Sequence, residues 1–175
     1  MIIRPMIEYI KENLNGKPLI GVEIGVRHGS HSRTIMEYLN IKKLYSIDPY
    51  VSYVDADGVA WNRKFKFMNK TLRSAKHILS PYIEQGKCEF IIDYSSKACN
   101  VVPDSLDFVY IDGCHKYDFV FEDCTLWVKK VKKNGVFGGH DYTSKYDDVR
   151  FAVDDFCKQY NLVLHTRYPD WWIVK

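Results

Sequence analysis

The sequence predicts an α/β protein: an open, doubly wound sheet of seven strands, mostly parallel, with helices on both faces and an antiparallel last strand. Three observations predict it. Short β-type runs alternate with helical runs along the whole chain, the pattern of βαβ units and a parallel sheet. Each of the first five strands ends at an acidic residue, namely Glu23, Asp48, Asp93, Asp112 and Asp141. The chain closes on "LVLHT", "YPDW" and "WIVK", a hairpin that puts an antiparallel strand beside a parallel set.

The elements follow in order. "MIEYIKENL" (6–14) spaces its apolar residues as a helix does. "PLIGVEIGV" (18–26) is the first strand, apolar apart from Glu23. "SHSRTIMEYLN" (30–40) is a helix with Ser30 as its cap. "KLYSID" (43–48) is the second strand, stopped by Pro49, and "YVSYVDADGVAW" (50–61) is irregular and aromatic. The stretch 63–86 becomes helical towards its end and stops at Gly86. "KCEFIID" (87–93) is the third strand, "SSKACNVV" (95–102) a short helix, and "SLDFVYID" (105–112) the fourth strand. "YDFVFEDCTLWVKKV" (117–131) is a helix, and its "KKVKK" suits a helix C-terminus. Asn134-Gly135 reads as a turn before the fifth strand, "VFGGHD" (136–141). "DDVRFAVDDFCKQY" (147–160) is the last helix, and Pro169 takes the second position of the final turn.

A chain of 175 residues without a linker, repeat or low-complexity segment is expected to form one domain over 1–175. The net charge of +3 is too small to argue for nucleic acid. No apolar run approaches the ~18 residues of a membrane helix, and the N-terminus lacks the features of a signal peptide. Five scattered cysteines without a CxxC favour free thiols in a reducing compartment, so the cytoplasm is expected.

Ligands of such sheets bind beyond the carboxyl ends of the strands. One acid there caps a helix; five in register repel each other and suit a cationic, hydroxyl-rich or metal-bound ligand. Gly25 and Gly29 precede a helix N-terminus, but Val26-Arg27 between them breaks the G-x-G-x-x-G fingerprint. A ligand carrying an amino-acid part fits that loop better than a diphosphate. Asp48 lies 19 residues beyond Gly29, where an acid can accept both hydroxyls of a ribose.

"VEIGVRHGSHS" followed by "LYSIDPY" resembles motifs I and II of class I S-adenosylmethionine-dependent methyltransferases. "LDFVYIDGCHKYDFVFEDCTLWVKKVKKNGVFGGHDY" resembles the small family of Methyltransferase 24 type, with its pattern D-G-x-H-x-Y … D … W … G-G … H-D-Y. The resemblance runs from Leu19 to Phe156 and implies a Rossmann-like fold and O-methylation of a small-molecule or sugar hydroxyl. It implies that Gly25 and Gly29 let the loop approach the methionine part of the cofactor. Glu23 would anchor that loop and face the cofactor's ammonium through water or backbone. Asp48 would take the ribose hydroxyls, Asp93 and Ser95 would flank the adenine, and Asp112 would lie beside the sulfonium and the acceptor. Cys114 departs from the family, where an acid is common.

Asp112, His140 and Asp141 are the expected ligands of one divalent ion, Mg²⁺ or Mn²⁺. The imidazole suits Mn²⁺, Fe²⁺ or Zn²⁺ better than Mg²⁺, and His140 is equally readable as a base. His115 and His140 remain alternatives for the base that takes the acceptor's proton. Tyr50, Tyr53, Trp61, Tyr142 and Tyr146 lie on loops at the same sheet edge and offer flat faces to an acceptor, a site that a homo-oligomer could complete. Three rival readings stand beside this one: a nicotinamide-dependent reductase, a non-catalytic binding module on the same fold, and a methyltransferase acting on nucleic acid.

Overall fold

In a computed structural model, residues 2–14, 16–54, 60–61 and 65–175 are described, with the backbone alone at 60–61 and 65–66. Seven strands form one sheet: β1 (Leu19–Ile24), β2 (Ile41–Ile47), β5 (Cys88–Ile91), β6 (Leu106–Ile111), β7 (Val131–Gly139), β8 (His165–Arg167) and β9 (Asp170–Val174). Their order is β5-β2-β1-β6-β7-β9-β8, parallel from β5 to β7 and antiparallel at β9 and β8. Two further strands, β3 (Tyr53–Val54) and β4 (Ala60–Trp61), pair with each other inside the aromatic segment expected to be irregular.

Strand periodicity sorts the core. On β6, Val109 and Ile111 turn to one face with Trp127, Phe137, Phe156 and Trp171, while Phe108 and Tyr110 turn to the other with Met6, Ile10 and Ile35. The first face is covered by α4 (Ser95–Ala98), α5 (Tyr117–Trp127) and α6 (Asp147–Gln159), and the second by α1 (Pro5–Asn13) and α2 (Ser30–Tyr38). The 20-residue α3 (Phe65–Glu84) packs beside β5 through Ala75 and Leu79. Asp112, two residues beyond Tyr110, emerges on the α1 side.

Two local expectations are corrected. Asn134-Gly135 is not a turn before the strand but lies inside β7, which already begins at Val131. Pairing to β6 slips there, from Leu106↔Val131 to Phe108↔Val136, and Asn134 adopts φ 62° to absorb the extra residues as a bulge. The helix expected to reach 131 ends at Trp127, with a single 3₁₀ turn over Val128–Lys130. That frees Lys132 to pair with Asp107, whose other oxygen accepts Ile20 N at 2.7 Å and ties β1 to β6.

Candidate active site

The strand order reverses between β1 and β6: chain continues outward to β2 and β5 on one side, and to β7 on the other. That switch point leaves a crevice at the carboxyl ends, the usual ligand position in such sheets. A cavity of about 330 Å³ fills it, walled by the loops after β1, β2 and β6 and floored by α4 and α5. The volume suits a nucleoside-sized ligand.

The first loop is held by backbone contacts that only glycine permits. Gly25 has φ +92°, and a Cβ there would lie 1.9 Å from the Asp112 carbonyl oxygen. Gly25 therefore joins the end of β1 to the end of β6 while it lines the cavity. Gly29 has φ +84°, and a Cβ there would lie 3.1 Å from Ala75 Cα in α3; Gly29 is not among the residues lining the cavity.

Asp48 is the keystone between the first two loops. One carboxylate oxygen accepts Arg27 N and the other accepts Tyr50 N, each at 2.8 Å. Tyr50 in turn donates its hydroxyl to the Arg27 carbonyl at 2.6 Å. Burial raises the Asp48 pKa, and the two N–H donors oppose that shift. Each oxygen keeps a second lone-pair site, so the carboxylate can still accept a pair of ribose hydroxyls.

Glu23 sits on the other face of β1. Its neighbours Val22 and Ile24 belong to the α5 side, so alternation points Glu23 under α2. It is 0 % exposed, takes the Ser32 hydroxyl and lies 2.7 Å from His31 Nδ1. The buried carboxylate thus fastens the first turn of α2, where the helix dipole favours negative charge. It anchors the loop from behind and does not line the cavity.

Ser95 lines the floor, and its hydroxyl donates to the carboxylate of Asp123, which also lines the cavity. Burial pushes the Asp123 carboxyl up to about 7, against the Ser95 hydrogen bond. Asp93, expected beside Ser95 at the cofactor, is half-buried, accepts Tyr94 N at 2.8 Å and stays outside the lining. The sequence reading missed Asp123, although its signal was present. Val120, Asp123, Cys124 and Trp127 form the buried i, i+3, i+4, i+7 stripe of α5, with one acid in an apolar face.

A second polar group adjoins the cavity at Asp112. His115 Nε2 lies 2.9 Å from one oxygen of Asp141, and His140 Nδ1 lies 3.0 Å from the other. The latter contact lacks hydrogen-bond geometry, leaving His140 Nδ1 buried without a hydrogen bond. Burial works against the Asp141 charge, but the two imidazoles outweigh it and hold the carboxyl far below the usual range. The His115 ring lies against Tyr146, centroids 4.1 Å apart. His140 also approaches Asp112 at 3.8 Å and Asp170 at 4.0 Å.

Asp112 meets a residue the sequence reading did not consider. Arg4, just before α1, donates from one terminal nitrogen to Asp112 at 2.8 Å and to the Tyr110 hydroxyl at 3.2 Å. Tyr110 donates its own hydroxyl to Asp170 at 2.8 Å, and Asp170 also accepts Met6 N at 3.0 Å.

The expected metal ligands are only partly brought together. Asp112, His115 and Asp141 place one ligand atom each within 4.8 Å of one another, so His115 takes the place expected for His140. The set still does not fit a divalent ion. Arg4 already supplies the cation at Asp112, and Asp141 already has His115 at 2.9 Å and His140 at 3.0 Å. Of the expected acceptor aromatics, Tyr50 and Tyr53 line the cavity; Tyr146 lies against His115 and Tyr142 donates its hydroxyl to Asp154, both outside the lining. The Trp61 side chain lies outside the described residues.

Comparisons with known proteins bear on the fold and the family. A relative from Acanthamoeba polyphaga mimivirus, described as uncharacterized protein R132, is 27% identical over 165 residues, covering 83% of this chain and 68% of its own. The O-methyltransferase NovP superposes with a TM-score of 0.67 at 19% identity, covering 97% of this chain and 79% of NovP. The calicheamicin methyltransferase CalS11 gives 0.68 at 10% identity, with coverage of 97% and 77%. A Streptococcus mutans protein solved in complex with S-adenosylhomocysteine gives 0.66 at 14% identity, with coverage of 99% and 97%. A family model described as a methyltransferase domain matches residues 22–142, from the acid-bearing first strand to the His140-Asp141-Tyr142 end of the fifth. The chain belongs to that family, among the class I S-adenosylmethionine-dependent methyltransferases.

Proposed function

We propose that the protein is an O-methyltransferase that moves a methyl group from S-adenosylmethionine to a hydroxyl of a small molecule or sugar. The observation that carries this reading is one junction. At Asp112 the nucleoside-sized cavity meets the His115–Asp141 pair, so a cofactor and a base face the same point.

The cofactor supplies an electrophilic methyl on a sulfonium. The chain's residues hold and align it. Asp48 accepts the ribose hydroxyls, the Gly25 turn admits the amino-acid part, and Asp123 with Ser95 faces the base on the cavity floor. In-line displacement then depends on positioning. The acceptor's proton must leave, and His115 is the base. Asp141 accepts from Nε2, which keeps the basic lone pair on Nδ1 and stabilises the ring once it is charged. His140, set among Asp112, Asp141 and Asp170, steadies Asp141.

A sugar hydroxyl is the preferred acceptor. CalS11 is described as a TDP-rhamnose 3'-O-methyltransferase, and Tyr50 and Tyr53 offer amphipathic rings at this cavity. We assign no nucleic-acid or membrane partner; among the described residues no helix is long and apolar enough to cross a membrane. Among the described residues no cysteine forms a disulfide, and a cytoplasmic setting is part of the proposal.

The test is calorimetric titration of S-adenosylhomocysteine, followed by transfer of labelled methyl from S-adenosylmethionine to a panel of sugars, nucleotide sugars and phenols. Micromolar binding and label on a hydroxyl support the proposal. Binding without transfer to any acceptor would favour a non-catalytic module.

A further inference from the structure

Arg4 lies outside the family-matched residues 22–142, yet it reaches the reacting end of the site. Three features hold it there. Pro5 opens α1 immediately after it, which fixes the direction of the chain. The guanidinium lies 5.4 Å from the Tyr110 ring centre and bonds the Tyr110 hydroxyl. Its side chain is 23 % exposed, so most of it is withdrawn from solvent against Tyr110 and Asp112.

Charge decides what it does. Asp112 and Asp141 bring two negative charges to three converging donors, the arrangement that attracts a divalent ion. Arg4 is already bonded to Asp112 at 2.8 Å, and arginine stays charged at every working pH. Asp141 has two imidazoles for company. An ion at this cluster would have to share Asp112 with a fixed cation and be repelled by it. One terminal nitrogen of Arg4 makes both of its hydrogen bonds, so the other terminal nitrogen and Nε still have N–H groups to offer.

We propose that Arg4 is the resident cation of the reacting centre: it compensates Asp112 and offers its remaining N–H donors to the acceptor oxygen, so methyl transfer here needs no divalent metal ion. This rests on the methyltransferase reading above. The charge of Arg4 stands where an ion would otherwise be needed.

The experiment uses the full chain after EDTA treatment. Mn²⁺ is titrated and followed by electron spin resonance, with S-adenosylhomocysteine binding measured separately by calorimetry. The wild type should bind cofactor product equally well with EDTA or Mn²⁺ and should hold no Mn²⁺ at sub-millimolar concentration. Arg4→Gln and Arg4→Ala should open the cluster and bind Mn²⁺ more tightly than the wild type by about tenfold or more. Arg4→Lys, which keeps the charge, should stay metal-free. Micromolar Mn²⁺ binding by the wild type would overturn the proposal, and so would an Arg4→Gln protein that folds and gains no affinity. Should both neutral variants fail to fold by circular dichroism, the wild-type and Arg4→Lys titrations decide it. Loss of S-adenosylhomocysteine binding by the wild type would instead count against the methyltransferase reading, whatever the metal result.

Discussion

The Ser95 hydroxyl donates to the Asp123 carboxylate across 28 residues of sequence, joining the first turn of α4 to the buried stripe of α5 at the cavity floor. Burial dominates that carboxyl and lifts it to about 7. In the unfolded chain an aspartate titrates near ~3.9. The folded protein therefore holds this proton where the unfolded chain has released it. The stabilisation is complete below pH ~4 and is lost as pH rises towards 7. Asp123→Asn removes the titration and keeps a partner for Ser95. Relative to the wild type, the variant should be more stable at pH 8 by a few kcal/mol, seen as a rise of several degrees in Tm, with the gain shrinking towards pH 4. Parallel Tm–pH curves for the two proteins would refute the assignment.

Glu23 predicts a different kind of loss. It is fully buried and shared between His31 and Ser32, so truncation strands both partners. Glu23→Ala should cost about 3 kcal/mol in urea denaturation. Glu23→Gln retains an acceptor for Ser32 and should cost roughly half as much. The exposed Asp118→Ala serves as control and should stay within about 0.5 kcal/mol. A Glu23→Ala protein as stable as the control would sink the anchoring role.

How much of this could be read beforehand depends on range. Val22, Ile24 and Glu23 alternate, so a buried acid in the first strand was visible as a question, and His31 and Ser32, eight and nine residues on, were near enough to be its answer. Asp48 and Asp112 declared themselves by ending strands at a predictable edge. Arg4 did not, because it meets Asp112 across 108 residues, and the encounter exists only once α1 has packed under β6 and β9. Asp93 was named and Asp123 passed over for the converse reason. Asp93 follows the third strand and is half-buried outside the lining, whereas Asp123 lies in α5 and is buried, and only its helical phase announces that. Asn134-Gly135 carries turn chemistry, yet the lengths of β6 and β7 demand a bulge there.

Gly25 tests whether the loop contact serves the cofactor. An added Cβ would fall 1.9 Å from the Asp112 carbonyl oxygen, at a φ that L-residues avoid. Gly25→Ala must push the loop off the end of β6. We expect a stability loss of about 2–4 kcal/mol and S-adenosylhomocysteine affinity reduced by more than about tenfold. Gly29→Ala is the matched comparison, since its Cβ meets Ala75 at 3.1 Å on the α3 side. It should lose stability while the folded protein binds near normally. Equal affinity losses in the two variants would show that the loop responds as one unit and that Gly25 has no separate part in the cavity.

The two histidines are separable by their carboxylate neighbours. His115 has Asp141 at 2.9 Å from Nε2 and joins the loop that walls the cavity, whereas His140 stands among Asp112, Asp141 and Asp170. A base in the first position is oriented by one carboxylate and faces the acceptor, so His115→Ala should lower kcat by about 10²–10⁴-fold. Its S-adenosylhomocysteine affinity should be unchanged, because the ring is not among the residues lining the larger cavity. His140→Ala loosens Asp141 without removing the base and should lower kcat by a smaller factor. Both are measured as methyl transfer to whichever hydroxyl acceptor the label screen identifies. The reverse order, with His140→Ala the more damaging, would move the base to His140 and leave His115 as a ring that packs on Tyr146.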